Sequence, residues 1–485
     1  MFVYPNPYGI GERRLASIMN MPLAFLSLSA FLEKHGIRAR VIDSRAEDYR
    51  TYDFDNALFV GITALTGGMI RNGLDICRHV RGRRPDLPLV WGGPHASSLP
   101  AQTVEHPLVD AVCVGEGEPV ALELARCLEG GRRIEDLKGI PGLLTKTTTL
   151  EPRGWMDLDE IPPLPYDKLD LDRYKRRTFF EFPTSRGCPH RCIFCYNQAF
   201  NRDPGTGRPS FRMQSSAHVL DQLERVAGRF PMREGGFVED NFFASKRRVV
   251  EIAEGIVRRG IVFSWFTNGV ASYFRSYDDD FLALLRRSGC ARIDIGGESG
   301  SPAILERICK GTVPEDILNS ARRCARNDII PSYSFIIGWP DETDDDLERT
   351  LSLIDQLARE VPRTWINGVF VITPFPGTEY LDEAVARGFV PPKDLEGWGE
   401  HLFAVDTSRY TPWHDRGRRD ELMVIARLSK TDFLGGSTKP FRSRLRNTVY
   451  RAMSADARFR WRRRFFGVPY EWKLWDWAFR RQQKF

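Results

Sequence analysis

Residues 179–197 read FFEFPTSRGCPHRCIFCYN, an apolar, aromatic run that breaks at Pro183 into a loop carrying Cys188, Cys192 and Cys195. Phe-rich runs favour strands, and the loop places three thiols in C-x3-C-x2-C spacing at the strand's end. Downstream the unit repeats. Apolar runs at 235–241, 261–269, 291–297, 331–339 and 364–374 alternate with helical patterns at 215–229, 245–259, 278–288, 302–308, 314–326 and 343–359. Six strand–helix repeats in one run predict a parallel barrel or partial (β/α)6 barrel, a fold whose chemistry gathers at the C-terminal strand ends. The cysteines stand at one such end.

Upstream the elements are shorter. FVY (2–4), ARVID (39–43), ALFVGIT (57–63), LPLVWGG (87–93) and DAVCVGEG (110–117) read as buried strands. PLAFLSLSAFLEKHG (22–36), closed by Gly36, GMIRNGLDICRHVRGR (68–83) and EPVALELARCLEGG (118–131) read as helices. This alternation predicts an open, doubly wound, Rossmann-like sheet over residues 1–145. A linker at 146–178 follows, with the aperiodic, Pro- and Asp-rich IPPLPYDKLDLDRYK at its centre. The barrel occupies 179–390, and 391–485 is a mainly helical region with six of the eleven tryptophans and no cysteine.

Bulk composition excludes several classes. The chain of 485 residues exceeds one ordinary core. No apolar run approaches the roughly 20 residues of a membrane span, and MFVYPNPYGIGERR lacks the pattern of a secretory signal. The expectation is a cytoplasmic protein, and nine cysteines, an odd number, suit metal binding or cores in a reducing compartment better than a disulfide framework. The net charge of +6 is concentrated: residues 441–485 hold 13 Lys/Arg against 3 Asp/Glu.

Three thiolates can hold three irons of a [4Fe-4S] cubane and leave the fourth open to a chelating substrate. Zinc would need a second ligand pair at comparable spacing, but Cys290, Cys309 and Cys324 are isolated. A ferredoxin would want a fourth cysteine nearby, and any cysteine can be a small buried hydrophobe. The ligand count favours the open cluster.

RGCPHRCIFC (186–195) resembles the signature of the radical SAM superfamily. VEDNFF (238–243), TNG (267–269), IGGESGSP (295–302) and FIIGWPDET (335–343) follow in that family's order, so the likeness covers roughly residues 180–385. It implies that Cys188, Cys192 and Cys195 ligate a cluster that reductively cleaves S-adenosylmethionine (SAM). It also implies that Phe194, Glu239, Asp240, Asn268, Glu298 and Ser299 line the SAM site, and that Gly338 lets backbone approach the adenine. An ammonium, ribose hydroxyls and a sulfonium call for such carboxylates and amides. Singly, each is a polar residue ending a strand; the register with the cysteine loop distinguishes them.

In the first domain, ITALTGG (62–68), GGPHAS (92–97) and GEGE (115–118) end strands on glycine, where open parallel sheets bind ligands. This half resembles the cobalamin-binding domain that precedes many radical SAM enzymes. The resemblance implies contacts at Thr63, Leu65, Thr66, Gly92, Gly93, Gly115, Glu116 and Gly117. The D-x-H-x-x-G motif of cobalamin-dependent mutases is absent, which implies cobalamin without that motif's imidazole. His95 is not assigned to cobalt, since a loop histidine is readily satisfied by backbone. A competing nicotinamide reading rests on Gly9-Ile10-Gly11 with Arg14, and on Asp43 as a ribose-binding acid. It lacks the third glycine and the tight strand-to-helix turn.

The tail, RFRWRRRFFGVPYEWKLWDWAFRRQQKF (458–485), mixes arginine with aromatic residues. A helix packing its tryptophans on the barrel and a peripheral membrane contact through 441–485 both fit. Nucleic acid is not expected, as no recognised module accompanies the charge. By resemblance the chain is a cobalamin-dependent radical SAM enzyme. Such an enzyme generates a 5′-deoxyadenosyl radical and methylates an unactivated carbon of a small-molecule or lipid substrate, with electrons from a flavodoxin or ferredoxin. Ring formation or rearrangement without methyl transfer is one alternative; a non-catalytic iron–sulfur redox or binding protein is another.

Overall fold

Two parallel sheets organise the chain in the computed structural model, which describes residues 1–7, 21–174, 177–203, 206–401, 410–429 and 454–467. The first sheet comprises β1 (Phe2–Tyr4), β2 (Val41–Asp43), β3 (Val60–Thr63), β4 (Leu89–Gly92), β5 (Ala111–Cys113) and β6 (Leu143–Thr145). Its order is β2-β1-β3-β4-β5-β6, parallel except for the antiparallel edge strand β6. Chain order reverses between β1 and β3, the switch point outside which doubly wound sheets bind ligands.

Helices α1 (Leu23–Lys34), α2 (Gly68–Arg83), α3 (Gly93–Ser98), α4 (Pro100–Glu105) and α5 (Gly117–Glu129) surround this sheet. GGPHAS is therefore not a loop: Pro94 stands in the first turn of α3, where its missing N–H costs nothing. One apolar cluster, including Phe2, Phe25, Val90 and Leu124, continues without interruption into the second half of the chain. Another holds Val3, Ile62, Ile70 and Trp91.

The linker is ordered by burial of its aromatic residues. Tyr166 donates to the Glu181 carbonyl at 2.5 Å, and Tyr174 donates to Asp43 Oδ2 at 2.6 Å. Arg45 Nε and Nη2 occupy Asp43 at 2.8 and 2.7 Å, so that carboxylate is saturated and has no lone pair aimed at a ribose. Gly9, Gly11 and Arg14 of the nicotinamide reading lie outside the described residues.

The second half opens with β7 (Phe179–Phe182), then β8 (Ser185–Gly187), α6 (Asn197–Phe200), β9 (Phe211–Met213), α7 (Ser216–Arg229), β10 (Glu234–Phe237), α8 (Lys246–Arg258) and β11 (Ser264–Gly269). It continues with α9 (Asp279–Arg287), β12 (Cys290–Glu298), α10 (Pro302–Arg307), α11 (Pro314–Arg326), β13 (Ile330–Ile337), α12 (Asp344–Glu360) and β14 (Trp365–Val371). The order β14-β13-β12-β11-β10-β7 is all parallel, and β7 and β14 are not paired with each other. The arrangement is an open, partial barrel of six strands, matching the six apolar runs read from the sequence. The short antiparallel pair β8–β9 brackets the cysteine loop and was not expected, because three-residue strands carry too little periodicity to see.

Past the barrel come α13 (Glu379–Ala386), α14 (Leu395–Gly399) and α15 (Arg416–Leu428). The chain doubles back in α14: Leu395 and Trp398 enter the core of the first domain, and Gln102 and His106 there bond Lys393 O and Glu396. Ser429, just beyond α15, accepts from Val369 N of β14. Residues 454–462 are helical, with Trp461 buried and donating to Asp355 of α12 at 2.8 Å. That fragment takes the packed alternative; Trp472, Trp475 and Trp477 lie outside the described residues.

Candidate active site

The cysteine loop is pinned from several sides. Gly187 has φ 85°, and a Cβ there would collide with the Ser210 carbonyl, so only glycine fits between β8 and the strand facing it. Ile193 N donates to Ile308 O at 3.3 Å, Tyr380 N to Ile193 O at 3.1 Å, and Cys195 N to Cys192 O at 3.1 Å. Phe194 stacks edge-on to Trp339 with centroids 5.6 Å apart. His190 and Asn241 both reach Tyr273 Oη at 2.9 Å.

All nine cysteines are free. Burial pushes the Cys192 thiol up to about 11, the Cys195 thiol to about 12, and Cys188 above its ordinary value. Lys310, almost fully buried, opposes that rise with its positive charge. Three clustered thiols beside one cation suit a ligand that displaces their protons and leaves anionic sulfur. Among the described residues no three His, Cys, Asp or Glu side chains converge on one point as a single ion requires. Thiolates on separate irons of a cubane stand farther apart than that.

The barrel strand ends place the other expected residues unequally. Glu298 follows a register shift in β12 and adopts φ 59°, a strained conformation for a residue with a Cβ. Its carboxylate accepts from Lys310 Nζ at 2.7 Å. Glu239 is buried and turned inward, accepting from the Thr184 and Ser185 hydroxyls and, at 3.2 Å, from Thr184 N. Asn268 Nδ2 donates to the Glu239 carbonyl at 2.7 Å.

Asp240 is open to the cavity yet walled by protein, and that desolvation lifts its carboxyl above the ordinary range. Tyr196 Oη lies 3.4 Å from its Oδ1. Ser299 is fully buried, its hydroxyl bonded to Thr350 Oγ1 at 3.0 Å. Gly338 follows β13 with φ 85°; its carbonyl accepts from Trp413 Nε1 at 3.1 Å, and its N–H donates to Glu342.

A cavity of about 340 Å³ joins the C-terminal ends of the first sheet to those of β7 and β10; Cys188, Cys192, Cys195, Phe194, Asn268, Glu298 and Gly338 are not among its lining residues. Thr63, Gly92, Gly93, Gly115, Glu116 and Gly117 line it from the first domain, and Arg186, Gly187, Glu239 and Asp240 from the second. Leu65 is 49% exposed and Thr66 bonds His95 Nδ1 at 3.0 Å; neither lines the cavity. Leu28, Val90, Val120 and Leu124 form an apolar part of the cavity lining beside helices α1 and α5. A Cβ on Gly93 would strike Thr63 Oγ1 and one on Gly117 would come 3.1 Å from Leu28. Glycine backbone and apolar lining suit the close approach of a bulky ring system such as cobalamin, of which a cavity of this size encloses only a part.

Glu116 has partners of its own. It accepts from Arg186 Nη1 and Arg212 Nη1, each at 2.7 Å, and from Met156 N at 3.0 Å. Glu118 accepts from Arg186 Nη2 at 2.6 Å and Ser27 Oγ at 2.5 Å. This ion cluster ties the β5–α5 turn to the β8–β9 pair. Sequence reading gave no role to Arg186 and Asn241, although RGCPHRCIFC and VEDNFF contain them, and missed Arg212 and Lys310, which stand in no pattern beyond charge.

Comparison with known proteins agrees with this geometry. A profile described as the radical SAM superfamily matches residues 182–354, and one described as a B12 binding domain matches residues 20–125. The chain belongs to the radical SAM superfamily, in the group with a B12-binding domain ahead of the barrel. Among its relatives, the uncharacterized methyltransferase PH0819 of Pyrococcus horikoshii is 30% identical over 394 residues, covering 78% of this chain and 81% of that protein. An anaerobic magnesium-protoporphyrin IX monomethyl ester cyclase of Rubrivivax gelatinosus is 26% identical, covering 79% and 69%.

Among solved structures, the radical SAM methyltransferase TsrM of Kitasatospora setae, with cobalamin and a [4Fe-4S] cluster bound, aligns with TM-score 0.63. Identity is 21%, over 80% of this chain and 75% of that one. The cobalamin-dependent SAM radical enzyme OxsB aligns with TM-score 0.69 at 17% identity, over 99% and 75%. At such identities these likenesses speak for the fold. The protein is an enzyme whose cofactors are a [4Fe-4S] cluster, SAM and cobalamin, and the non-catalytic reading is set aside.

Proposed function

We propose that this enzyme methylates an unactivated carbon of a small organic substrate. The observation that carries the reading is the cavity that the strand ends of the first sheet share with the ends of β7 and β10, next to the cysteine loop. With the cofactors bound, the cluster and SAM beside this cavity would supply one-electron bond cleavage and cobalamin within it a transferable methyl group.

The chain's part is to hold and to shield. Cys188, Cys192 and Cys195 are the cluster ligands in this proposal, with Phe194 as apolar cover. Glu239, Asp240, Asn268 and Glu298 take the polar groups of SAM, Gly338 faces its adenine, and Ser299 steadies the turn after Glu298 through Thr350. Thr63, Gly92, Gly93, Gly115 and Gly117 floor the cobalamin, Leu65 and Thr66 flank that floor, and Glu116 fixes its edge through Arg186. Apolar walls keep water from reactive species.

The test is anaerobic reconstitution with iron, sulfide, cobalamin, SAM and a low-potential reductant. Release of 5′-deoxyadenosine together with S-adenosylhomocysteine is expected; absence of deoxyadenosine refutes the proposal. Ring formation is the second reading, favoured by the cyclase among the relatives. Deoxyadenosine without S-adenosylhomocysteine selects it. Among the described residues no helix is long and apolar enough to cross a membrane. Peripheral contact through residues 441–485 rests on charge, and predicts liposome co-sedimentation that salt weakens.

A further inference from the structure

Asn241 follows β10, is wholly buried, and touches the cysteine loop. Its amide nitrogen carries two hydrogens, and both have acceptors. Nδ2 lies 3.7 Å from Cys188 Sγ and 2.9 Å from Tyr273 Oη. The same hydroxyl lies 2.9 Å from His190 Nε2, so its own hydrogen is free to turn toward the imidazole. His190 is two residues beyond Cys188, and its carbonyl accepts from Gln198 Nε2. The chain of bonds thus leaves the cysteine loop at one sulfur and returns to it two residues later.

In this orientation Nδ2 faces the sulfur and the Tyr273 hydroxyl, while Oδ1 is buried without a hydrogen-bond partner. Flipping it would set Oδ1 against the sulfur, where a thiolate would repel it. Cys192 gives the contrast: its Sγ meets the Cys309 carbonyl at 3.9 Å, a contact that only a protonated thiol can use. Cys188 also receives the His190 backbone N–H. Among the described residues Asn241 is the side-chain donor to a cysteine of the motif, and so a donor that mutation can delete.

We infer that Asn241 is a positioning residue that raises the reduction potential of the cluster at Cys188, its amide held by Tyr273 and His190. The inference rests on Cys188 being a cluster ligand. An N–H aimed at sulfur draws density from it and favours the more negative, reduced cluster; hydrogen bonds to sulfur are among the determinants of cluster potential. Asn241 then eases the first electron into the site without touching SAM or substrate.

The experiment is an EPR-monitored redox titration of the anaerobically reconstituted 485-residue chain, with iron and sulfide measured on each sample. Asn241→Leu removes the donor at similar size, and Asn241→Asp puts a carboxylate in its place. Both should titrate at lower potential with iron content unchanged, Asn241→Asp by more. The reduced fraction at fixed poise should fall up to about tenfold, which is about 59 mV for one electron. A full cluster in Asn241→Leu at the wild-type potential overturns the inference. If that variant does not retain iron, Tyr273→Phe decides: a smaller shift in the same direction supports the inference, and none overturns it. A wild-type chain that assembles no cluster would instead remove the cluster-ligand reading beneath it.

Discussion

Replacing Arg186 with methionine tests whether the ion cluster between the two halves stabilises the fold. Arg186 bridges Glu116 and Glu118 at 2.7 and 2.6 Å, and the glutamate side chains are only 5% and 4% exposed. Without it Glu116 keeps Arg212 and Met156 N, whereas Glu118 keeps only Ser27 among these partners. Stranding one charge of a buried pair costs about 3–5 kcal/mol. Because Arg186 is itself 28% exposed, the lower end applies, about 3 kcal/mol.

Adding Glu118→Gln neutralises the stranded charge and should recover about 2 kcal/mol of that loss. The assay is urea unfolding of the metal-free chain by tryptophan fluorescence, comparing the first transition of both single variants and the double. Burial alone would raise the Glu118 carboxyl, but Arg186 and Ser27 outweigh it and hold it below its usual value. Its contribution is therefore present above the ordinary glutamate range and lost as pH falls through the depressed value, an acid limb that Arg186→Met should lack. A single variant within about 0.5 kcal/mol of wild type, or a double variant worse than the sum of the singles, refutes the reasoning.

Gly187→Ala should misplace the cysteine loop against Ser210, giving a folded chain that binds well under half the wild-type iron; normal iron content would disprove the steric argument. Burial raises Glu181 from 4.5 to about 7, so its proton is held more tightly in the folded chain. That contribution is complete below about pH 4.5 and is lost as pH rises to about 7. Glu181→Gln should therefore gain stability relative to wild type across that window in a pH series of melts, and parallel curves would contradict it. Trp461→Ala deletes a fully buried indole bonded to Asp355, a loss of about 3–5 kcal/mol capped by undocking of 454–467. Limited proteolysis should cut the tail earlier, and an unchanged digest would count against the packing.

The barrel was legible because apolar runs are punctuated by glycine or a polar residue at or just past their ends, as over Ser264–Gly269, Cys290–Glu298 and Ile330–Ile337, the last followed by Gly338. Glu298 stood out for the same reason, and the structure adds the bulge that turns it inward. What stayed hidden depends on contacts distant in sequence. Arg186 meets Glu118 across 68 residues and Asn241 meets Cys188 across 53, separations at which no local pattern operates. Glu116 looked like a ligand contact because GEGE ends a strand, but two arginines reach it first. Ser299 had the register of a site residue, yet its hydroxyl serves Thr350.

The return of the chain in α14 bears on how such proteins can be taken apart. Trp398 is a core residue of the first domain although it is encoded after the last barrel strand. A fragment cut at the linker would leave the first sheet with a hole where an indole belongs, and leave the rest with a greasy helix and nowhere to put it. Grafting a different barrel onto this front module, in the laboratory or by recombination, would have to carry both stretches of gene together. The two halves are stitched, not strung.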